Sequence, residues 1–451
     1  MLYSTAAPAT DRPSAPSHHE LRSRLDSLAR LHRVPGAQLA VHTGTHVLSV
    51  HTGTADALTN TAFTARTAVP LGSVTKVVTA AAALLLAEDG DIGLDEPVSE
   101  LLPDLPAELP EATVRHLLSH TAGLPTGPGS DSVVGTTAAR YLSAVWTARD
   151  ALFAPGTGFS YSNAGFVAAG RVLSEVTGMT WQEAVTALVL EPLGIVPAFL
   201  GDAAPARPLA GGHALNTVTG LVRPAHQNLA PVEAPAGALL ASAEDLVALG
   251  RAVIGRNAAL PAAVADRMRR PEPAADPGAL ADSWGLGLAL FRQDGQEWWG
   301  HDGNAQGTSC HLRAHPGSGV VVAFTGNAGT ATALWRDIAA ELARLTGIRV
   351  PTAPSADTRR GLAVTLPDCA GTYRNGGTEY TVKLDGDGKP TLSVDGDCPI
   401  PLVCYADLSC DLVDPATDRL EPGGRFHRDP ITGAIDRLQI SGRTARRTGT
   451  G

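Results

Sequence analysis

The sequence predicts an α+β protein in two parts: an antiparallel sheet built from both ends of a large domain, with helices between them, and then a small all-β module. Three observations carry this. Strand signals cluster over residues 37–54 and return over 284–325, with mostly helical periodicity between, as expected when both ends of a domain supply one sheet. The helical stretch 73–88 is apolar on nearly every side, which places it at the centre of that domain. Beyond a Pro/Ser/Ala/Arg linker the chain falls into short alternating runs punctuated by glycine turns.

Taken in order, residues 1–17 are Pro/Ala/Ser/Thr-rich, with no apolar run preceded by basic residues, and read as a disordered lead rather than a signal peptide. A helix is expected from His18 to His32, with Leu21, Leu25, Leu28 and Leu31 on one face. A β-hairpin is expected from Ala37 to Thr54, turning at Thr43-Gly44-Thr45. Ser73 opens the apolar helix, and Asp89-Gly90 stops it. Helices dominate from Thr113 to about Ile254, and Ser242-Ala243-Glu244-Asp245 is a capped start with an acidic first turn. Strands are expected at Trp284–Arg292, Glu297–His301, Gly307–Arg313 and Val320–Thr325, then a helix from Ala331 to Leu345. The large domain is thus 18–346, the linker 347–361 and the β module 362–451. Its turns fall at Asn375-Gly376-Gly377, Asp385–Gly388, Asp395–Asp397 and Pro422-Gly423-Gly424. Asp385–Gly388 reads as a hairpin turn, because it lacks the loop length and terminal Glu of an EF-hand.

Composition narrows the function. With 44% apolar and 18% charged residues the chain is globular, and its 451 residues are enough for more than one domain. A net charge of -10 argues against nucleic acid or an anionic membrane as partner. The longest apolar stretch, 80–87, is too short to span a bilayer, and a cytoplasmic protein is expected. The five cysteines (Cys310, Cys369, Cys398, Cys404, Cys410) are odd in number and widely spaced, so buried reduced thiols are expected and neither a zinc site nor a disulfide framework. No cofactor or metal is implied.

The 35 basic residues are 32 arginines and three lysines: Lys76, Lys383 and Lys389. Such a bias fits a GC-rich genome, in which a surface cation can drift to arginine. A proton-shuttling amine cannot, because guanidinium does not deprotonate. Lys76, the only lysine in the first 382 residues, therefore draws attention. It lies three residues after Ser73, so on a helix hydroxyl and amine share a face, and a serine becomes a nucleophile beside a desolvated amine. Tyr161-Ser162-Asn163 adds a phenol able to relay protons and an amide able to hold both the lysine and a substrate carbonyl. Gly300-His301-Asp302-Gly303-Asn304 places glycines on a strand edge that a substrate can approach, with a backbone amide to complete an oxyanion hole with that of Ser73.

Together and in this order, the three motifs resemble those of the penicillin-recognising serine enzymes: class C β-lactamases, D-alanyl-D-alanine carboxypeptidases, and their esterase and D-aminopeptidase relatives. That family carries Ser-x-x-Lys, then Tyr-x-Asn or Ser-x-Asn, then Lys-Thr-Gly or His-x-Gly. Val34-Pro35-Gly36, Leu71-Gly72-Ser73, the run 116–125 and Phe159–Asn163 look familial as well. The resemblance covers about residues 18–346. It implies a β-lactamase-like sheet flanked by helices with an all-helical subdomain, and the β module resembles a lipocalin. By the same resemblance Ser73 is the acylated nucleophile, Lys76 and Tyr161 the general base and acid, and Asn163 an orienter. His301 and Gly303 line the far wall, and the amides of Ser73 and Asn304 form the oxyanion hole. His116 and His120, spaced i, i+4, lack the Glu of H-E-x-x-H and read as structural.

His301-Asp302-Gly303 departs from Lys-Thr-Gly, whose lysine and threonine help bind a substrate carboxylate, and so points away from β-lactamase activity. In layout the chain is similar to stand-alone penicillin-binding-protein-type thioesterases that cyclise nonribosomal peptides, and to amide-forming transacylases. The resemblance therefore implies transfer of an acyl or peptidyl group from a thioester or ester to an amine through acyl-Ser73, in natural-product biosynthesis. The expected partners are an acyl donor, an amine acceptor and a carrier protein of a nonribosomal synthetase. Hydrolysis by the same residues is the alternative. A non-catalytic binding module is a second, disfavoured because such a module has no need of the Ser73, Lys76 and Tyr161 set. Two further expectations follow: Trp298 and Trp299 pack in the core, although one that faced the cleft could shield the acyl ester from water, and the β module is an independent unit that shapes the cleft rather than supplying catalytic groups.

Overall fold

The computed structural model describes residues 18–106, 108–109, 111–203, 205–216, 219–354, 362–414 and 418–450. The expected disordered lead and residues 355–361 of the expected linker lie outside them.

The first helix, α1 (His18–Leu31), buries Leu21, Leu25 and Ala29. It is followed by β1 (Gly36–Thr43) and β2 (Val47–Asp56), the expected hairpin, and by a short β3 (Thr61–Ala62). Next comes α2 (Thr75–Asp89), in which all residues but Leu85, Ala87, Glu88 and Asp89 are buried. It ends at Gly90, whose left-handed φ of 88° lets its amide cap the Leu86 carbonyl. Ser73 does not open this helix; it sits in the 3₁₀ turn Gly72–Val74 that leads into it.

The helical region holds α3 (Asn163–Thr177) and α4 (Ala243–Val253), the latter entered through the expected Ser242–Asp245 capping box. It also holds an unexpected hairpin, Gly212–Leu215 with Val222–Ala225. The segment expected to be one strand over 284–292 is two, β4 (Ser283–Trp284) and β5 (Ala289–Gln293). Gly287 lies between them with φ 72°, pressed onto α2: a Cβ there would fall 2.3 Å from that of Ala80. Then follow β6 (Gln296–Gly303), β7 (Ser309–Ala314), β8 (Val320–Gly326) and α5 (Ala331–Thr346).

These strands form one eight-stranded sheet in the order β3-β2-β1-β8-β7-β6-β5-β4, so both ends of the domain meet at the antiparallel β1–β8 pair. Alternation then divides the core. Leu39, Val41, Val322 and Phe324 face Leu21, Leu25 and Trp335 of α1 and α5, while Ala40, Val321 and Ala323 face α4 and the cluster that encloses α2. Trp298 and Trp299, adjacent on β6, fall on opposite faces and pack into the two separate cores. Both are core residues, as expected, and neither lines the cavities at Ser73, so neither shields an ester there.

The β module is a closed antiparallel barrel of eight consecutively paired strands: β9 (Gly371–Asn375), β10 (Thr378–Leu384), β11 (Pro390–Val394), β12 (Ile400–Cys404), β13 (Ser409–Val413), β14 (Leu420–Arg428), β15 (Ile435–Ile440) and β16 (Arg443–Thr450). Pro422-Gly423-Gly424 is not a turn. It lies inside β14, where the register with β13 shifts and a Cβ at Gly424 would sit 1.7 Å from the Gln439 carbonyl oxygen; the glycines mark a bulge and a close strand approach. Four cysteines are buried free thiols, and Cys398, contrary to expectation, is exposed. Among the described residues no helix is long and apolar enough to cross a membrane.

The barrel does not stand apart from the catalytic domain. Asn375, buried at the end of β9, accepts from the Thr126 amide (2.7 Å) and donates to Ser160 Oγ (3.2 Å) and the Thr444 carbonyl (2.7 Å). Thr444 Oγ1 donates to the Phe159 carbonyl (2.8 Å), and the Tyr161 amide donates to the Gly442 carbonyl (2.9 Å). The stretch Phe159–Tyr161 thus hangs from the β15–β16 hairpin, so the module is not independent of the large domain, although it supplies none of the residues expected to be catalytic. Asn375→Ala strands buried polar groups on both sides of this seam and is expected to cost about 3 kcal/mol. Denaturant melts check this, and a loss below about 0.5 kcal/mol would show that the seam is not structural.

Candidate active site

Ser73 enters the site because two backbones approach more closely than side chains allow. A Cβ at Gly72, whose φ is 52°, would lie 2.2 Å from the Asn304 carbonyl oxygen, and one at Gly303 would lie 2.0 Å from that of Leu71. Glycine at both positions lets the turn carrying Ser73 lie against the end of β6, so the segments bearing the Ser73 and Asn304 amides are neighbours, as an oxyanion hole needs.

Lys76, one turn along on α2, is wholly buried. Its Nζ lies 3.3 Å from Ser73 Oγ, 2.8 Å from Asn163 Oδ1 and 2.8 Å from the Ala236 carbonyl oxygen. Asn163 is placed by the start of α3, where the Ser162 side chain accepts from the Gly165 amide and donates to the Pro125 carbonyl. A neutral amine has two hydrogens and one lone pair. Here the amide and carbonyl oxygens accept the two hydrogens, which leaves the lone pair to take the Ser73 proton. Burial drives the Lys76 pKa well below the usual lysine range, the Arg443 charge adds to the effect, and Glu233 opposes it.

Tyr161, just ahead of α3, stacks 4.2 Å from the His120 ring, and the Lys76 ammonium position lies 5.0 Å from its ring centre. Burial pushes the phenol up to about 12, against the pull of the Ser73 hydroxyl and the Arg443 charge, so it remains a proton donor at neutral pH. The two expected structural histidines serve the backbone. His116 Nδ1 accepts from the Thr113 amide (3.2 Å), and His120 Nδ1 accepts from the Ser162 amide (3.0 Å).

On β6, His301 and Gly303 share the face toward Ser73, and Asp302 points the other way. There it meets Arg313, which is fully buried on β7, at 2.7 and 2.9 Å, and His311 at 2.7 Å. Burial would raise the Asp302 pKa, but Arg313 and His311 hold it well below the usual carboxylate range. The middle residue of the motif therefore anchors the strand rather than facing a substrate. Burial above all brings His301 down to about 4, so its ring is neutral.

Ser73 and Asn304 border two cavities. One, about 310 Å³, is lined by Ser130, Asn163, Asn228, Leu229 and Gln306. The other, about 370 Å³, is lined by Tyr161, Trp284, Phe291, His301 and, from the barrel, Ser441 and Arg443. A larger groove of about 1130 Å³, between the barrel and the 148–155 loop, holds none of the residues expected to be catalytic, so size does not pick the site. The structure thus brings Ser73, Lys76, Tyr161, Asn163, His301, Gly303 and Asn304 together. It adds groups that the sequence did not single out: Arg443, whose Nε donates to Thr126 Oγ1 (3.1 Å) and whose guanidinium lies 5.3 Å from the Tyr161 ring centre; Trp284; and the Ala236 carbonyl. Only barrel closure brings Arg443 to a loop more than 280 residues earlier in the chain, and no local signal marks it.

A family model described as Beta-lactamase matches residues 21–344. The chain is 33% identical to penicillin-binding protein 4 of Amycolatopsis lactamdurans over 384 residues, 80% of this chain and 98% of that protein. The crystal structure of SurE superposes with a TM-score of 0.83 at 35% identity, covering 96% of this chain and 99% of SurE, and a structure of SurE with D-Leu superposes at 0.80. A D-stereospecific amidohydrolase from Streptomyces sp. superposes at 0.58 with 27% identity, covering 74% of this chain and 100% of that one.

Two outcomes follow from the lysine's surroundings. Lys76→Arg keeps the charge but cannot shed a proton, so the rate of Ser73 acylation by an activated ester should fall at least a hundredfold, about 2.7 kcal/mol; retention of more than a tenth of the wild-type rate would remove Lys76 as base. Arg443→Gln removes a charge that depresses the Lys76 pKa. Acylation needs the neutral amine, so its acidic limb should move to higher pH in this variant, as read from a pH–rate profile; no displacement, or one to lower pH, would contradict the coupling.

Proposed function

From the premise that this chain belongs to the Beta-lactamase family, whose members are serine hydrolases and acyltransferases, we propose that it is an acyltransferase carrying an acyl or peptidyl group from a thioester or ester to an amine through acyl-Ser73. In the first half-reaction Lys76 takes the Ser73 proton, Oγ attacks the donor carbonyl, and the Ser73 and Asn304 amides stabilise the oxyanion. The protonated Tyr161 phenol supplies the proton that the departing thiol or alcohol needs. In the second, an amine replaces the leaving group and Ser73 is released as the free hydroxyl.

The single observation that carries transfer over hydrolysis is the pair of cavities meeting at Ser73. A hydrolase needs one acyl pocket and a water; two chambers, one rimmed by carboxamides and one by Arg443 and aromatic rings, suit a donor and an acceptor held on either side of the ester. Trp284 and Phe291 give the second chamber apolar walls that disfavour water. The likeness to SurE over nearly the whole chain, and the D-Leu in its second structure, support a peptidyl donor ending in a D-residue. Such a donor can arrive as a thioester on a carrier protein of a nonribosomal synthetase, and a donor with its own free amine would be cyclised.

The test is partitioning. With a peptidyl thioester ending in a D-residue and a varied amine, the amide-to-acid ratio should rise with amine concentration until amide dominates. Acid as the main product at every amine concentration, across several donors, would leave a hydrolase.

A further inference from the structure

Two side chains that line the barrel-roofed cavity end in buried polar atoms with no hydrogen-bond partner among the described residues, Trp284 Nε1 and His301 Nε2, and a third, Tyr161 Oη, has only the neighbouring Ser73 hydroxyl. Buried polar groups are rarely left unpaired, so a set of them on side chains that line one chamber points to a ligand group that completes it. An indole N–H only donates and a phenol does both, but the role of an imidazole nitrogen is set by the other nitrogen of its ring. His301 Nδ1 lies 2.6 Å from the Asp302 carbonyl oxygen. That oxygen can only accept, so Nδ1 carries the hydrogen, and in the neutral ring Nε2 presents a bare lone pair. Burial keeps the ring neutral. Trp284 stands nearly perpendicular to the ring, 85° at 5.3 Å between centroids, and closes the side of the chamber.

A lysine at this position, as in Lys-Thr-Gly, could only donate and would call for an anion. A neutral imidazole with a free lone pair calls instead for an N–H. We propose that His301 Nε2 accepts a hydrogen bond from the attacking amine and so turns the amine's own lone pair toward the carbonyl carbon of acyl-Ser73. This rests on the acyltransferase reading above and names the group that selects amine over water. The nitrogen lone pair forms the new C–N bond, the C–Oγ bond breaks with its electrons going to Oγ, and one amine proton passes by way of the Tyr161–Lys76 pair to Oγ, which restores the hydroxyl. His301 accepts a hydrogen bond in this step and does not take the proton.

The test compares wild type with His301→Phe, which has no acceptor, and His301→Gln, whose side-chain oxygen restores one. Two quantities are read for each on the full-length protein: the rate of Ser73 acylation by an activated ester, and the amide-to-acid ratio with a small primary amine. In His301→Phe the amide-to-acid ratio should fall at least tenfold further than the acylation rate, and the KM for the amine should rise. His301→Gln should recover most of the ratio. If acylation falls as far as aminolysis in both variants, His301 serves Tyr161 and Lys76 rather than the amine, and the proposal is wrong. An unchanged ratio in His301→Phe would overturn it equally. Acid alone from the wild type would remove the acyltransferase reading and this proposal together, whereas amide from the wild type with an unaltered ratio in the variant removes only the role of His301.

Discussion

The structure is organised around one buried amine. Lys76 is removed from water on every side, and taking an ammonium into such a place is costly unless it gives up its proton. Each surrounding feature serves that end. Nearly all of α2 is buried, Asn163 and the Ala236 carbonyl accept its two N–H groups, and a positive guanidinium adds repulsion. What remains is a lone pair facing Ser73. The rarity of lysine in this chain has its physical counterpart here, since arginine replaces lysine wherever a permanent charge suffices and cannot do so where the proton must leave.

The barrel is the second constraint. Tyr161 is positioned from both sides, by the start of α3 and by the backbone of the β15–β16 hairpin, so it belongs to the seam between the two domains. The same hairpin delivers Arg443, which acts at a distance on Lys76 and Tyr161 through its charge while its Nε is held by Thr126. A wall of one of the two cavities at Ser73 is therefore made by a module whose sequence contains no recognisable catalytic pattern.

Much of this was legible in the sequence, and the boundary has a physical cause. The apolar wrap of α2, the Ser73–Lys76 spacing, the capping box at Ser242 and the alternation that builds the sheet are local patterns set by helix and strand periods. The three motifs could be gathered into one site because a family resemblance supplied the tertiary step. What stayed hidden depends on contacts that no local window contains. Gly287 splits a strand because α2 passes beneath it, and Gly423-Gly424 sits in a strand because its neighbours crowd it. Asp302 turns away because Arg313 lies buried on the adjacent strand. Trp298 and Trp299 pack inside as their size suggests, but only the sheet decides that they enter separate cores, and nothing local marks Trp284 as the ring that lines the cavity beside Ser73.

The claim on which the account turns, a Lys76 pKa driven well below the usual lysine range by burial, can be measured directly because the chain has only three lysines. Protein labelled with ¹³C at the lysine ε carbon should give three resolved signals, assigned by Lys383→Arg and Lys389→Arg, each followed through a pH titration. The account predicts that the Lys76 signal titrates well below the ordinary lysine value of about 10.4, while the other two stay near it. Titration of all three near that value would mean that Lys76 is an ammonium at neutral pH, and it would contradict the role of Lys76 as the base that activates Ser73.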